Sequence, residues 1–287
     1  MGVKIIKPAL GIQTITPGHA ATLSLDTGPR YFDVLSKITA AGQVLNQIID
    51  KFVVKLNTKA QWEVTPDELD HIYRLMGSNG STEHAVQNNT AGSEIHVPFW
   101  FMEPWRKGFV AQNALVWPTG DIEDGKLIVE YHLKSTADAS VDIKTEVQFD
   151  NPVDAAGKPL PLGAGAIRKI YRDSVDVTGT APVYKGLERR DNLQSLHFYD
   201  QGTIERLEFM VGTTVVRDIL RASNESRLIG RGMTPHNDWF DVVFDDDDDL
   251  LSAVPLDGSR TLTVKLTLND GTPTTIPLVI QKAGPRD

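Results

Sequence analysis

The feature that most restricts the fold of this chain is a repeated alternation of apolar and polar residues. The segments VDIKTEVQF (141–149) and TLTVKLTL (261–268) place apolar side chains on one side and polar side chains on the other. Segments 51–56, 127–133 and 206–211 follow the same pattern. Because successive side chains of a strand point to opposite faces of a sheet, this period predicts half-buried antiparallel strands.

Helical signals are few, and two segments carry them. In TPDELDHIYRLMG (65–77), Thr65 is a candidate N-cap and Glu68 completes a capping box. The second segment is TVVRDILRASNESRLIG (214–230), which has apolar residues on one side. It is expected to be helical over about 217–229.

A stretch rich in proline and glycine divides the chain. NPVDAAGKPLPLGAGA (151–166) contains three prolines and three glycines, which is typical of a linker. The sequence therefore predicts an N-terminal domain over 1–150, a linker over 151–166 and a C-terminal domain over 167–287.

The two predicted domains repeat one order of elements: a strand, a short apolar segment, a helix, an aromatic-rich strand and two strongly alternating strands. These elements are 51–56, 62–64, 65–76, 97–101, 127–133 and 141–149 in the first half, and 205–211, 214–216, 217–229, 239–244, 261–268 and 274–281 in the second. Such an order predicts a jelly roll, in which two four-stranded sheets pack face to face. The predicted fold class is all-β: two tandem jelly-roll β-sandwiches, each with a short helix after the fourth strand.

Composition excludes several classes of protein. The net charge is -9 and no basic block occurs, which argues against sequence-specific binding of nucleic acid. The chain has no cysteine, so disulfides, thiolate zinc sites and cysteine nucleophiles are excluded. The start, MGVKIIKPALGIQ, lacks the apolar core of a signal peptide, and secretion is not expected.

Motifs for catalysis are also missing. The sequence has no GxSxG, Walker, HExxH or dinucleotide-binding glycine pattern, and its seven histidines are scattered. An enzyme is therefore not expected, and no cofactor is required. One aromatic cluster predicts either a sugar-binding platform or, as we favour, sandwich core and subunit interface. Its members are Phe99, Trp100, Phe101, Trp105, Phe109 and Trp117.

Five consecutive aspartates, at positions 245–249, lie between two apolar runs. An EF-hand is excluded, because the positions that need glycine and glutamate are Leu250 and Leu256. In an extended loop, Asp245, Asp247 and Asp249 would share one side and could hold a structural cation such as calcium. The alternative is a solvated loop whose charge discourages edge-to-edge aggregation.

Four segments carry a resemblance to a known family. They are FWFMEPWRKG (99–108), KGLERRDNLQSLHF (185–198), IERLEFMVGTTVVRDILRASNESRLIG (204–230) and WFDVVFDDDDDLLSAVPLDGSRTLTVKLTL (239–268). The chain resembles the double jelly-roll major capsid proteins of tailless icosahedral double-stranded DNA bacteriophages, most closely the membrane-containing corticovirus type. The aspartate run and the polar segment 77–94 depart from the family pattern.

The resemblance implies a structural coat protein of the virion, made and assembled in the host cytoplasm. Three chains are expected to form a pseudo-hexagonal capsomer that tiles an icosahedral shell around the genome. Its partners would be neighbouring capsomers, vertex (penton) proteins and minor capsid proteins. The basic start, Met1 to Lys7, would suit the lipids of an internal membrane, and the alternative is a frayed terminal tail. The loop 102–116 and the helices 65–76 and 217–229 are expected to bear on subunit packing.

Two other functions are compatible with tandem jelly rolls. One is a carbohydrate-binding or calcium-dependent adhesion protein, and the other is a jelly-roll enzyme acting on carbohydrate. The missing secretion signal counts against both, since such proteins are commonly exported.

Overall fold

A computed structural model describes residues 4–9, 12, 15–77, 81–120, 122, 125–151, 165–244, 254–256, 261–269 and 274–286. Contacts between residues divide the chain into two compact units. The first unit comprises Met1–Arg74, Ser81–Lys169 and Pro285–Asp287, and the second comprises Leu75–Gly80 and Ile170–Gly284. The linker predicted at 151–166 lies almost wholly outside the described residues.

The first unit is built from strands with three helices between them. The elements are β1 (Ile5–Pro8), β2 (Ala20–Asp26), β3 (Arg30–Thr39), α1 (Leu45–Ile48), β4 (Ile49–Leu56), β5 (Lys59–Val64), α2 (Pro66–Met76), β6 (Ile95–Trp100), α3 (Phe109–Gln112), β7 (Trp117–Pro118), β8 (Lys126–Leu133) and β9 (Asp142–Asp150). They form two sheets, with strand orders β1-β9-β3-β6 and β2-β8-β4-β5, and β7 pairs with β3.

The second unit repeats this plan. Its elements are β10 (Ile167–Asp176), β11 (Val183–Tyr184), β12 (Asn192–Tyr199), β13 (Ile204–Val211), β14 (Thr214–Leu220), α4 (Arg221–Gly230), β15 (Trp239–Val243), β16 (Val254–Pro255), β17 (Leu262–Leu268) and β18 (Thr275–Gly284). The strand orders are β10-β18-β12-β15 and β11-β17-β13-β14, and β16 pairs with β12. Each sheet of one unit therefore has a counterpart, strand for strand, in the other.

The alternating segments became strands as predicted. In β9, Ile143 and Val147 are buried while Asp142 and Lys144 are exposed. In the second unit, one hydrophobic cluster contains residues of both sheets, with Leu196 and Phe198 from β12 and Leu207 and Phe209 from β13. Two sheets that share one core between them form a β-sandwich. The prediction of two tandem jelly rolls is confirmed.

The helix predicted at 65–76 is observed as α2 (Pro66–Met76), so its bounds were predicted to within one residue. The Thr65 backbone amide donates to Glu68 Oε2 at 2.7 Å, and the Glu68 amide donates to Thr65 Oγ1 at 3.3 Å, which completes the capping box. In each unit the helix follows the fifth strand, counted from β1 for α2 and from β10 for α4, where four were expected. The extra strand, β1, has only four residues, too few for the alternation to be recognised.

The start of the second helix was predicted wrongly. Residues 217–220 were expected to be helical but belong to β14, and α4 begins only at Arg221. The run TVVRDIL is rich in β-branched residues and pairs with β13 across a two-residue turn at Gly212. Such a short apolar run fits a strand or a helix equally well by period, and pairing with β13 decided the outcome.

No helix among the described residues is long and apolar enough to cross a membrane.

Candidate assembly surfaces

The residues predicted to hold a cation cannot be placed. Asp245, Asp247 and Asp249 lie outside the described residues. The calcium site remains a prediction from the sequence alone.

The aromatic cluster is largely core. Phe99, Phe101 and Trp117 are fully buried, and the Phe101 and Trp117 rings stack with centroids 4.6 Å apart. A ring with no exposed face cannot stack on a sugar, so these three side chains are unsuited to the platform. Trp100 and Trp105 are partly exposed, and the side chain of Phe109 lies outside the described residues.

A buried arginine lies among aromatic rings in the first unit. The Arg168 guanidinium is 4.9 Å from the ring centroid of Trp62, 5.1 Å from that of Trp105 and 5.7 Å from that of Tyr73. It donates to the carbonyl of Trp100, and its own carbonyl accepts a 2.6 Å bond from Trp62 Nε1. Attraction between a desolvated cation and these rings helps to offset the cost of burying the charge.

The second unit contains a buried polar network that no motif in the sequence indicated. His197 Nδ1 lies 2.8 Å from Asp241 Oδ1, and His197 Nε2 lies 2.8 Å from Ser195 Oγ and 2.7 Å from Gln281 Nε2. Because the Gln281 amide nitrogen can only donate, we assign His197 Nε2 as the acceptor and His197 Nδ1 as the protonated nitrogen. The Ser195 hydroxyl then donates to His197, and His197 donates to Asp241, as in a Ser-His-Asp triad.

This network is nevertheless built for structure. Ser195 is 1% exposed, His197 0% and Asp241 2%, so a substrate would not reach the hydroxyl. Ser195 and His197 lie on one face of β12, while Asp241 on β15 and Gln281 on β18 come from the two neighbouring strands. The hydrogen bonds therefore join three strands of one sheet.

The first strand carries the basic start of the chain. All four residues of β1 are exposed, and the strand pairs antiparallel with β9. Lys4 Nζ lies 4.3 Å from the Phe32 ring centroid, and Lys7 Nζ lies 4.9 Å from that of Phe149. These contacts hold two lysines along an exposed sheet edge.

One apolar surface of the second unit is exposed. It lies on β14 and α4, and we call it the helix face: Val215 (46% exposed), Val216 (39%), Leu220 (56%) and Ile229 (63%). Among the described strands, β14 pairs only with β13, so it is the edge of its sheet. An edge strand that exposes valines is prone to pair with another chain unless it is covered.

One surface of the first unit is also partly open. It lies on the outer side of β3 and β9, and we call it the sheet face: Asp33, Leu35, Glu146 and Gln148, all partly exposed. Asp33 is opposite Gln148, and Leu35 is opposite Glu146. Burial raises the pKa of the Asp33 carboxyl to about 7, although nearby Lys4 acts in the opposite direction.

Family models match both units. The model of the viral coat protein P2 N-terminal domain matches residues 6–149, and that of the C-terminal domain matches residues 167–282. The chain belongs to the viral coat protein P2 family. The first match runs from β1 to β9 and the second from β10 into β18, so each P2 domain corresponds to one jelly roll. As a coat protein, the chain is a structural component of the virion.

Solved structures of other capsid proteins share the P2 fold of this chain. The major capsid protein P2 from bacteriophage PM2 matches with a TM-score of 0.81 and 15% identity, over 99% of this chain and 98% of that one. VP54 of PBCV-1 matches with a TM-score of 0.70 and 10% identity, over 99% and 94%. A chain of Sulfolobus turreted icosahedral virus matches with 0.66 and 11%, over 98% and 91%. No curated protein matches the chain.

Proposed function

We propose that this coat protein assembles as a homotrimer that forms the pseudo-hexagonal capsomer of an icosahedral shell around a double-stranded DNA genome. The observation that carries the proposal is the duplication of one jelly roll within one chain. Three such chains place six similar units around a threefold axis, and the outline of the ring is then nearly hexagonal. A nearly hexagonal tile can cover a closed shell together with special proteins at the vertices.

The function is assembly rather than turnover. Each capsomer would bury surface against neighbouring capsomers and against vertex and minor capsid proteins. Stable interfaces of this kind bury on the order of 2,000 Å² or more. The similar structures support this partner class, because one belongs to a turreted icosahedral virus and another to the PBCV-1 virus capsid.

The trimer is tested by native mass spectrometry and negative-stain electron microscopy of the purified full-length chain. We expect a species three times the 31.6 kDa chain mass and particles with six corners and threefold averages. A chain that stays monomeric at micromolar concentration, both alone and with a macromolecular crowding agent, would contradict the proposal.

We further propose that the first strand meets an internal membrane. Lys7 on β1 and Lys4, directly before it, are exposed next to the exposed apolar residues Ile5 and Ile6. A strip of lysines and isoleucines suits the surface of an anionic bilayer, where each lysine near the surface contributes about 1 kcal/mol.

The membrane contact is tested by flotation with vesicles that contain an anionic phospholipid. The variant Lys4→Glu/Lys7→Glu is expected to lose binding. The control Lys59→Glu/Lys107→Glu makes the same charge change at exposed lysines of the same unit and is expected to retain it. Equal binding by both variants would exclude the first strand as the contact.

A further inference from the structure

Each unit has a hairpin-and-helix surface and a sheet surface that correspond to those of the other unit. The first unit buries more of its hairpin-and-helix surface, and the second unit buries more of its sheet surface. In the first unit the hairpin of β4 and β5 leads into α2, and in the second the hairpin of β13 and β14 leads into α4. Both hairpins carry a register shift near the turn, between Val54 and Lys55 and between Phe209 and Met210. The two hairpins and their helices are therefore counterparts.

Only the first of these counterparts is covered. In β5, Gln61 and Trp62 are fully buried, as are Leu69, Ile72 and Tyr73 of α2. In β14 the counterparts of Gln61 and Trp62 are Val216, which is exposed, and Arg217, which is only partly buried, and α4 buries only Asn224 and Leu228. The helix α4 and Val216 are thus more exposed than their counterparts in the first unit, whereas Val215 corresponds to Ala60, which is exposed too.

The sheet face shows the reverse. A register shift after Tyr31 places Asp33 opposite Gln148 in the first unit, and a shift after Leu193 places Ser195 opposite Gln281 in the second. The pairs align, and the counterparts of the sheet face are Ser195, His197, Val279 and Gln281. These four are at most 3% exposed, whereas all four residues of the sheet face are partly open.

We propose that the helix face of one copy of this chain docks on the sheet face of a second copy. Each chain then offers one exposed helix face and one partly exposed sheet face, and joining the two faces buries both. The proposal rests on the proposed trimer and assigns its interface.

Charge supports a head-to-tail contact. The segment 214–231, which contains the helix face, has four arginines and two carboxylates, in a chain whose net charge is -9. Two helix faces brought together would place arginines against arginines. The sheet face carries the carboxyl groups of Asp33 and Glu146, of which Glu146 pairs with Lys37 Nζ at 2.7 Å, so it does not present a second row of arginines. A contact between two different faces is heterologous, and when its rotation closes it forms a ring.

The test uses charge insertion with a matched control on the same sheet. Val215 on β14 is 46% exposed, and Val183 on β11, the opposite edge strand of that sheet, is 47% exposed. We expect wild-type chain and Val183→Glu to be trimers by native mass spectrometry. We expect Val215→Glu, Ile229→Glu and Leu35→Glu to be monomers with unchanged circular dichroism.

Mixing two variants tests the polarity of the contact. Val215→Glu keeps its sheet face and Leu35→Glu keeps its helix face, so a mixture of the two should form dimers that cannot close into a ring. Each variant alone should remain monomeric. A self-pairing helix face would give no mixed dimer, and that result would overturn the head-to-tail assignment.

The outcomes separate this proposal from the proposed function. If wild type is trimeric and Val215→Glu and Leu35→Glu are trimeric too, the interface lies elsewhere while the capsomer stands. If Val183→Glu dissociates as fully as Val215→Glu, the effect is not specific to the helix face and the assignment fails. If the wild type itself is monomeric, both the capsomer and its interface are overturned.

Discussion

The two units of this chain contain the same hairpin and helix, but they treat the strand that leads into the helix differently. In the first unit β5 places Trp62 after the register shift, and the indole is fully buried against Trp117 and beneath Arg168. In the second unit the position after the shift is Arg217, which is only partly buried. The two units therefore share one backbone arrangement, but the side chain at this position suits a buried environment in the first unit and a partly exposed one in the second.

This difference teaches that duplication preserves strand order more strictly than burial. A strand order is maintained by backbone pairing, which tolerates many side chains. Burial depends on what lies against the outer side of each sheet, and it is free to differ between units. Exposed apolar side chains on the less covered unit are therefore informative, because a monomer seldom leaves such an edge open.

The largest expected effect comes from truncating Trp62, the fully buried side chain on β5. Trp62→Ala deletes an indole with no exposed surface, and we expect a loss of about 3 to 5 kcal/mol in the free energy of unfolding. Val110→Ala, at a side chain that is 83% exposed, should change it by less than about 0.5 kcal/mol. Urea denaturation checks both values, and equal losses would show that the burial of Trp62 contributes little.

The next effect contrasts one arginine of each unit, the buried Arg168 and the partly buried Arg221. Arg221 forms an ion pair with Asp200, whose side chain is fully buried, whereas Arg168 contacts a carbonyl and aromatic rings. Burial raises the pKa of Asp200, and Arg221 opposes that rise. Arg221→Ala should cost about 3 kcal/mol at pH 8, because it leaves a buried carboxylate without its cation.

The pH dependence of that loss distinguishes the two arginines. Without Arg221 the pKa of Asp200 rises further, so the folded state holds a proton that the unfolded state has released. Stability of the variant then falls as pH rises, and the loss should be smaller at pH 5 than at pH 8. The loss in Arg168→Ala should vary less with pH. Arg190→Ala, in an exposed pair with Glu188, is the control and should change stability by less than about 0.5 kcal/mol.

A smaller effect concerns the sheet face. Asp33 has a pKa of about 7 in place of 3.8, so the folded state binds a proton more tightly than the unfolded state. Its contribution to stability therefore falls as pH rises from about 4 to about 7. Asp33→Asn should match wild type near pH 4 and be more stable at pH 8, by on the order of 2 kcal/mol.

Thermal unfolding at the two pH values measures this gain. Asp142→Asn replaces an exposed carboxylate of β9 and serves as the control. A variant Asp33→Asn with the same pH profile as wild type would show that the carboxyl is better solvated than its burial indicates.

The smallest expected effect concerns the aspartate run. If Asp245, Asp247 and Asp249 hold calcium, a chelator should lower the melting temperature by a few degrees, on the order of 1 kcal/mol. The triple variant to asparagine should lose that response. A melting temperature and an oligomeric state that are both insensitive to the chelator would leave a solvated loop as the better account.

Local patterns predicted much of this fold. The strands over 126–133 and 262–268 and the capping box at Thr65 depend on neighbours a few residues away, and all were recognised from the sequence. The prediction failed at 217–220, where the period of a short apolar run does not separate strand from helix and its β-branched residues were the local sign of a strand. There the pairing with β13 decided, and a single sequence does not display such pairing.

The sequence by itself determined that this chain is a duplicated, β-rich protein, because alternation, turns and element order are properties of consecutive residues. Only the tertiary structure decided which members of each duplicated pair are buried. His197 meets Asp241 and Gln281, 44 and 84 residues away, because the register of three strands brings them together. The helix face and the sheet face likewise depend on which surfaces remain uncovered after folding, and residue spacing does not encode that directly.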